Sequence, residues 1–385
     1  MGVSSAVEAA VDDASQSDVA RGSDVTDPKV DVVTVTPLRF WLFSTGVYVG
    51  LFLAMMDSSI VAPSLHVIAV DFNVFIPVNW VALAYTLAAC GSSVVSARIS
   101  DVVGRRHVFV AAEVLFLVSS MGCGFSRRLH HLIACRALQG IGGSAIYSMT
   151  MVLLPEVCPD QTLEYMAGMA GFVIVVASVA GPLLGAIITH YASWRWIFWI
   201  NGPVCALSIP LVVALWPKET DTIQAPRHSW KSFDYLGSAL LIAASVLVIF
   251  AFQNAGVATV DVWGNAIFVA PVVIGLICWA GFFGWQHVVE SRRDDSPCTI
   301  PVLPLSLFEN RFYTSGTLAT LLLSFPMFIL IFSIPLRAQL ISGKDELVAS
   351  IMLLPMVGAS AVGCVSAAAL NARKNFVFEC ILAGA

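Results

Sequence analysis

Charged residues are scarce. Asp, Glu, Lys and Arg make up 12% of the 385 residues, where a soluble globular domain carries about a quarter. The balance is acidic, 20 Lys and Arg against 25 Asp and Glu for a net charge of −5, so no basic surface is available to recruit nucleic acid. The seven histidines are scattered and form no metal-spacing or nucleophile–base cluster, which argues against an enzyme. No G-x-x-x-x-G-K-[ST] sequence occurs, so no nucleotide-driven step is expected. The nine cysteines have neither ligand nor disulfide spacing; Cys90, Cys123, Cys135, Cys205, Cys278 and Cys364 lie in or beside apolar runs and read as small packing residues.

Apolar residues are abundant instead: 58% of the chain, with a mean hydropathy of +0.85. They fall into runs of about 20 residues, each long enough to cross a bilayer. Ten such runs are read at 41–66, 78–98, 107–125, 131–153, 165–189, 196–216, 235–253, 265–286, 313–334 and 347–370. An eleventh begins near 375 and reaches Ala385. The expected fold class is an all-α polytopic membrane protein with ten complete spans and the start of another. A helix ending inside the membrane would leave backbone groups that lipid cannot satisfy, so the expectation is either a fragment or a final segment lying at the membrane surface.

Residues 1–40 hold seven acidic and three basic side chains and lack the pattern of a secretory signal; they read as a disordered cytosolic tail. With the N-terminus cytosolic and sides alternating, fourteen Lys and Arg fall on the cytosolic side and five outside, the bias of the positive-inside rule. Arg127 and Arg128 oppose it locally. The organisation expected is a six-helix bundle over 41–216, a cytosolic linker over 217–234 and a two-helix insertion over 235–286. A cytosolic loop over 287–312 and an incomplete helical bundle over 313–385 follow. The loops are too short to house a catalytic domain.

Two charges lie inside apolar runs. Asp57 stands in LFLAMMDSSIVAPSL, where insertion scales put a charge at about 2.5–3.5 kcal/mol. It is either a carboxylate at the outer end of its helix or a protonatable group facing an aqueous cavity, and the second reading is preferred. Arg136 stands in HHLIACRALQGIGGSAIYSM. At 1.5 Å per residue, Asp57 lies about 24 Å up the first span and Arg136 about 8 Å down the fourth, which brings them to nearly one level in a core about 30 Å thick. Pairing is therefore expected, and protonation of Asp57 would alter it. Gln139, on the same helix face, is a candidate for a polar group of a substrate.

Gly140, Gly142, Gly143 and Ser144 thin one side of the fourth span; Ala177, Gly181 and Gly185, with Pro182 between, do so in the fifth. Such stripes permit close helix approach, and the proline is expected to bend its helix. Asp101, Gly104, Arg105 and Arg106 form a compact charged turn between the second and third spans, suited either to orienting the chain or to a salt bridge made in one conformation only. Glu113 reads as reaching the cytosolic interface. Trp80 and Tyr85 suit an interfacial belt, with Tyr85 also able to face a cavity. WRWIFWINGP (194–203) reads as an interfacial anchor whose Asn201 has no chemistry of its own.

Taken together, these segments resemble the major facilitator superfamily, and within it the fungal drug:proton antiporters with 14 spans. The family's loop motif corresponds to Ala97–Arg106, retaining Asp101, Gly104, Arg105 and Arg106. The fourth-span pattern R-x-x-Q-G-x-G is intact as Arg136, Gln139, Gly140 and Gly142. The first-span pattern is matched loosely around Asp57, and the fifth-span antiporter pattern by Gly181, Pro182 and Gly185, with Ala177 and Ala186 in glycine positions. WRWIFWINGP, SFDYLG and LPLSLFEN point to 14 spans rather than 12.

The resemblance implies proton-coupled efflux of small amphipathic organic compounds (a secondary metabolite, toxin or drug) by alternating access. It implies H+ as coupling ion, no cofactor or metal, and a location in the plasma membrane, with the vacuolar membrane as alternative. Uptake of a small solute such as a siderophore, and a non-transporting remnant of the fold, are the competing readings. A full-length carrier is expected to be monomeric, and a truncated one to depend on a partner.

Overall fold

In the computed structural model, residues 37–371 are described apart from 74–76, 159–161, 217–229, 258–264, 293–299, 342, 344–347 and 349–350. The tail over 1–36, most of the 217–234 linker and the stretch from 375 therefore lie outside the described residues. The rest is helical; among the described residues the only β pairing is an isolated bridge between Phe233 and Ile300.

Helix α1 (Pro37–Ile60) passes through a 3-10 turn at Ala62–Ser64 into the short α2 (Leu65–Phe72). Pro63 lies in that turn, where its missing N–H interrupts the helical ladder. Next come α3 (Trp80–Val103), α4 (Arg105–Gly124), α5 (Leu129–Val157) and α6 (Leu163–Tyr191). The expected sixth span is built from a single turn, α7 (Trp196–Trp199), followed by α8 (Asn201–Leu215). The remaining helices are α9 (Tyr235–Val257), α10 (Ala266–Ser291), α11 (Arg311–Leu340) and α12 (Leu354–Asn371). Among the described residues eight helical stretches are long and apolar enough to cross a membrane, from Leu38–Phe72 to Ala266–Ser291. Helices α11 and α12 overlap the ninth and tenth expected runs.

The helices pack by leaving side chains out. On α5, Gly142 lies against the α4 backbone, where a Cβ would come within 2.8 Å of Phe116 N. Gly140 and Gly143 similarly make room for the backbone and hydroxyl of Tyr85 on α3. On α6, Gly181 lies against Met56 and Ser59 of α1, and Gly185 against Ile60 and Pro63. The small-residue stripes thus mark specific crossings, α5 with α3 and α4, and α6 with α1. Helix α6 continues through Pro182, which supplies no N–H to the ladder.

Helices α9 and α10 pair with each other, and α9 leans on α3. Asp234, just before α9, accepts from Gly237 N (2.8 Å), Trp285 Nε1 (2.9 Å) and Gln286 Nε2 (2.8 Å), closing the pair at one end. Two contacts hold the assembly to α3: Trp80 lies 5.6 Å from the Phe250 ring, and Arg98 donates to the carbonyls of Pro301 (2.8 Å) and Val302 (2.7 Å). Helix α12 packs on α6, with Cys364 against Gly171.

Because the α4–α5 crossing admits no Cβ, Gly142→Val should cost about 1–3 kcal/mol by overpacking and lower the thermal midpoint of the purified protein in detergent. Gly284→Ala, on α10 with nothing within 4 Å, should leave that midpoint unchanged. Equal effects of the two would refute the close approach.

Candidate functional site

The depth arithmetic proves sound. Arg136 on α5 and Asp57 on α1 form an ion pair through Nη1 and Oδ2, and both side chains are 0% exposed. A charge so buried is tolerable only when its partners are in place, and neighbouring helices supply them. Arg136 Nε donates to Val81 O on α3 (3.2 Å), and Nη1 also reaches Gln139 Oε1 (3.0 Å). The guanidinium stands 4.3 Å from the centre of the Tyr85 ring, a cation–π contact. Tyr85 is fixed in turn by donating its hydroxyl to Ala54 O on α1 (2.9 Å). Of the two expected positions for Tyr85, the buried one is observed.

The other carboxylate oxygen of Asp57 accepts from Asn201 Nδ2 (3.1 Å), and the same amide reaches Ser120 Oγ on α4 (3.0 Å). Asn201 is therefore a site residue that sequence reasoning passed over. Its signal was visible as an amide in an apolar run, but nothing in WRWIFWINGP shows which helix it faces. Arg136 Nη2, Gln139 Nε2 and Asn201 Oδ1 are buried and make no hydrogen bond among the described residues. Five helices thus converge on one carboxylate: α1 bears it, α5 pairs it, α8 and α4 hydrogen-bond around it, and α3 covers the arginine.

The glycine motif of α6 joins this site from behind. Gly181 and Gly185 pack against Met56–Pro63, the stretch of α1 that carries Asp57 and then leaves the helix.

The charged turn is a separate cluster. Asp101 lies 2.5 Å from Arg105 and 3.6 Å from Arg98, while Arg105 also pairs with Glu156 at the end of α5 (2.9 Å). Arg106 donates to Val213 O on α8 (3.2 Å). Gly104 has φ of 105°, the left-handed side where glycine is favoured. Asp101 is thus engaged by arginines rather than capping a helix, and Glu156 is a partner the sequence did not announce.

Two expectations need correction. Glu113 does not reach an interface: it is 1% exposed and lies against α1 and α8. Its helix begins at Arg105, so Glu113 is already two turns inside, on the inward face. The aromatic anchor is also divided. Trp196 is half exposed, but Trp194 is buried, donating to Asp71 Oδ2 (3.1 Å) beside Arg195, which pairs with the same oxygen (3.2 Å). Among the described residues no cluster of His, Cys, Asp and Glu is arranged to hold a metal ion.

The profile of the Major Facilitator Superfamily matches residues 47–385. The MFS-type transporter FPY5 of Fusarium mangiferae is 31% identical over 330 residues, covering 84% of this chain and 54% of its own. Multidrug resistance protein 3 of Bacillus subtilis is 28% identical over 331 residues, covering 86% and 61%. The chain thus spans about half the length of FPY5. Among solved structures, the proton:xylose symporter XylE superposes with a TM-score of 0.55 at 12% identity, covering 88% of this chain and 70% of that one, a likeness of fold.

Arg136→Leu should cost about 3–5 kcal/mol, since it strands Asp57 uncompensated in the interior, and adding Asp57→Asn should recover part of the loss. The check is a double-mutant cycle of unfolding in detergent; strictly additive losses would show that the two charges do not interact.

Proposed function

Since the chain belongs to the Major Facilitator Superfamily of membrane transporters, we propose that it moves small amphipathic organic compounds out of the cytosol by proton-coupled alternating access. The observation that carries this reading is the fully buried Asp57–Arg136 pair, held by Gln139 and Asn201. An ion pair at membrane depth is costly, and a protonatable one can serve as a proton switch. When Asp57 takes a proton, its attraction for Arg136 is lost. The guanidinium, Gln139 and Asn201 then become free to take other partners.

In this reading the substrate meets a predominantly apolar wall from the bundle, and its polar group is offered Arg136 Nη2, Gln139 Nε2 and Asn201 Oδ1, which have no hydrogen-bond partner among the described residues. Opening occurs by rocking of one bundle against another. The α6–α1 contact at Gly181 and Gly185 serves as the sliding surface, and the Asp101–Arg105–Glu156 cluster as a tie that holds in one state. H+ is the coupling ion, no cofactor takes part, and the complete carrier acts as a monomer. The N-terminus lies in the cytosol and the membrane is the plasma membrane. The direction, outward rather than inward, draws on the Gly181–Pro182–Gly185 pattern and on the Bacillus relative being named a multidrug resistance protein.

The test is movement of a rhodamine dye in vesicles under an imposed proton gradient. Inside-out vesicles should accumulate dye when the lumen is acid, and Asp57→Asn should abolish that accumulation while the protein remains inserted and folded. Normal gradient-driven accumulation by Asp57→Asn would sink the proton role, and accumulation only in right-side-out vesicles would reverse the direction.

A further inference from the structure

A second carboxyl lies near the first and takes no part in that pair. Glu113 on α4 is 1% exposed, with Oε1 at 2.8 Å from Ser208 Oγ on α8. Among the described residues its Oε2 has no hydrogen-bond partner and no basic side chain pairs with it. Space for it is made by Gly50 on α1, where a Cβ would stand 2.7 Å from Glu113 Oε1.

Counting protons favours a neutral Glu113. Ser208 Oγ lies within hydrogen-bond distance of two groups, Glu113 Oε1 and the carbonyl of Gly46 (3.1 Å). A hydroxyl has one proton to donate, and a carbonyl can only accept. If Ser208 donates to Gly46, the contact with Glu113 needs its proton from the carboxyl. A neutral Glu113 satisfies both contacts in sequence: carboxyl to hydroxyl, hydroxyl to carbonyl. An ionised Glu113 would share half of one donor, leave an oxygen bare and have no cation beside it, which the interior of a membrane protein does not favour.

The surrounding helices place this group in register with the first. Gly50 and Asp57 on α1, Glu113 and Ser120 on α4, and Ser208 and Asn201 on α8 are each seven residues apart, about 10 Å along a helix. The three helices thus carry two polar layers, one around Glu113 and one around Asp57. Cys205 lies between them on the same face of α8 and is buried. Several other titratable groups on the packed helices have partners of their own. Asp57 pairs with Arg136, Asp101 and Glu156 with Arg105, and the hydroxyls of Tyr85 and Tyr48 donate to Ala54 O and Met166 O.

We propose that Glu113 is a second proton-carrying carboxyl, neutral in this conformation, and that the Asn201–Cys205–Ser208 face of α8 ties its protonation to the Asp57 layer. The proposal rests on the proton-coupled reading above and adds a site to it. On release, the Glu113 O–H bond breaks and the proton passes to water. Ser208 then turns its own proton from Gly46 O to the new carboxylate. Because α8 holds Asn201 against Asp57 and Ser208 against Glu113, a displacement of that one helix changes both layers together.

Infrared spectroscopy of the full chain in lipid, near neutral pH, reads the proton directly. The wild type should show the C=O stretch of a protonated carboxyl, and Glu113→Gln should remove it. Ser208→Ala, which keeps the carboxyl but deletes its acceptor, should shift that band to higher frequency, a readout that survives if the glutamine variant fails to fold. In rhodamine-loaded vesicles Glu113→Gln should lower the number of protons exchanged per dye while leaving dye binding in place. A wild type without the band, or with one that neither variant alters, overturns the protonated Glu113. A lost band with unchanged proton exchange overturns its role in coupling. A wild type that shows the band but moves no dye under any gradient refutes the proposed function instead, so the two failures are distinct.

Discussion

The position of Asp57 governs the rest of the first six spans. An ionised carboxylate without water must be met by a cation and by hydrogen-bond donors, or the helix bearing it cannot stay where it is. Arg136 supplies the cation from α5, but a long guanidinium at that depth needs its own support. Val81 O, Gln139 and the Tyr85 ring provide it. Tyr85 can approach only because α5 bears glycines at 140 and 143. Asn201 completes the carboxylate from the opposite side and brings in Ser120. The glycine stripe, the tyrosine and the asparagine are thus successive requirements of a single buried charge.

The same logic separates what the sequence reveals from what it conceals. Span positions follow from hydropathy, because lipid sets the length of each apolar run. The Asp57–Arg136 pairing was legible because two depths, each counted from a helix end, agreed. The phase of a helix about its axis is harder to read when nearly every residue is apolar, since the polar face that would orient a soluble helix is missing. Glu113 was misplaced for that reason: its depth was known to within a turn, but its direction towards α1 and α8 was not. Asn201, Glu156 and Trp194 were overlooked or misjudged likewise, each being defined by a partner on a helix distant in sequence.

The two charged clusters differ in their exposure to solvent, and so in what they contribute. Asp57 and Arg136 are wholly enclosed, so their attraction is barely screened and responds steeply to loss of one charge. Asp101, Arg105 and Glu156 are each about a quarter exposed, so their bonds are weakened by water and salt. A fold carrying both has one contact that changes chiefly with protonation and another that can be made and broken at small cost.

Helix α3 has a mechanical consequence through two attachments, one to α9 and one to the stretch that follows α10. Trp80 at its start meets Phe250, and Arg98 near its end holds the carbonyls of Pro301 and Val302. Eighteen residues separate them in sequence, about 27 Å along the helix. One attachment would act as a swivel; two at that spacing make a splint. Helices α9 and α10 are thereby braced to the bundle of α3 like an outrigger, and a torque on the pair is carried into the same helix that covers Arg136.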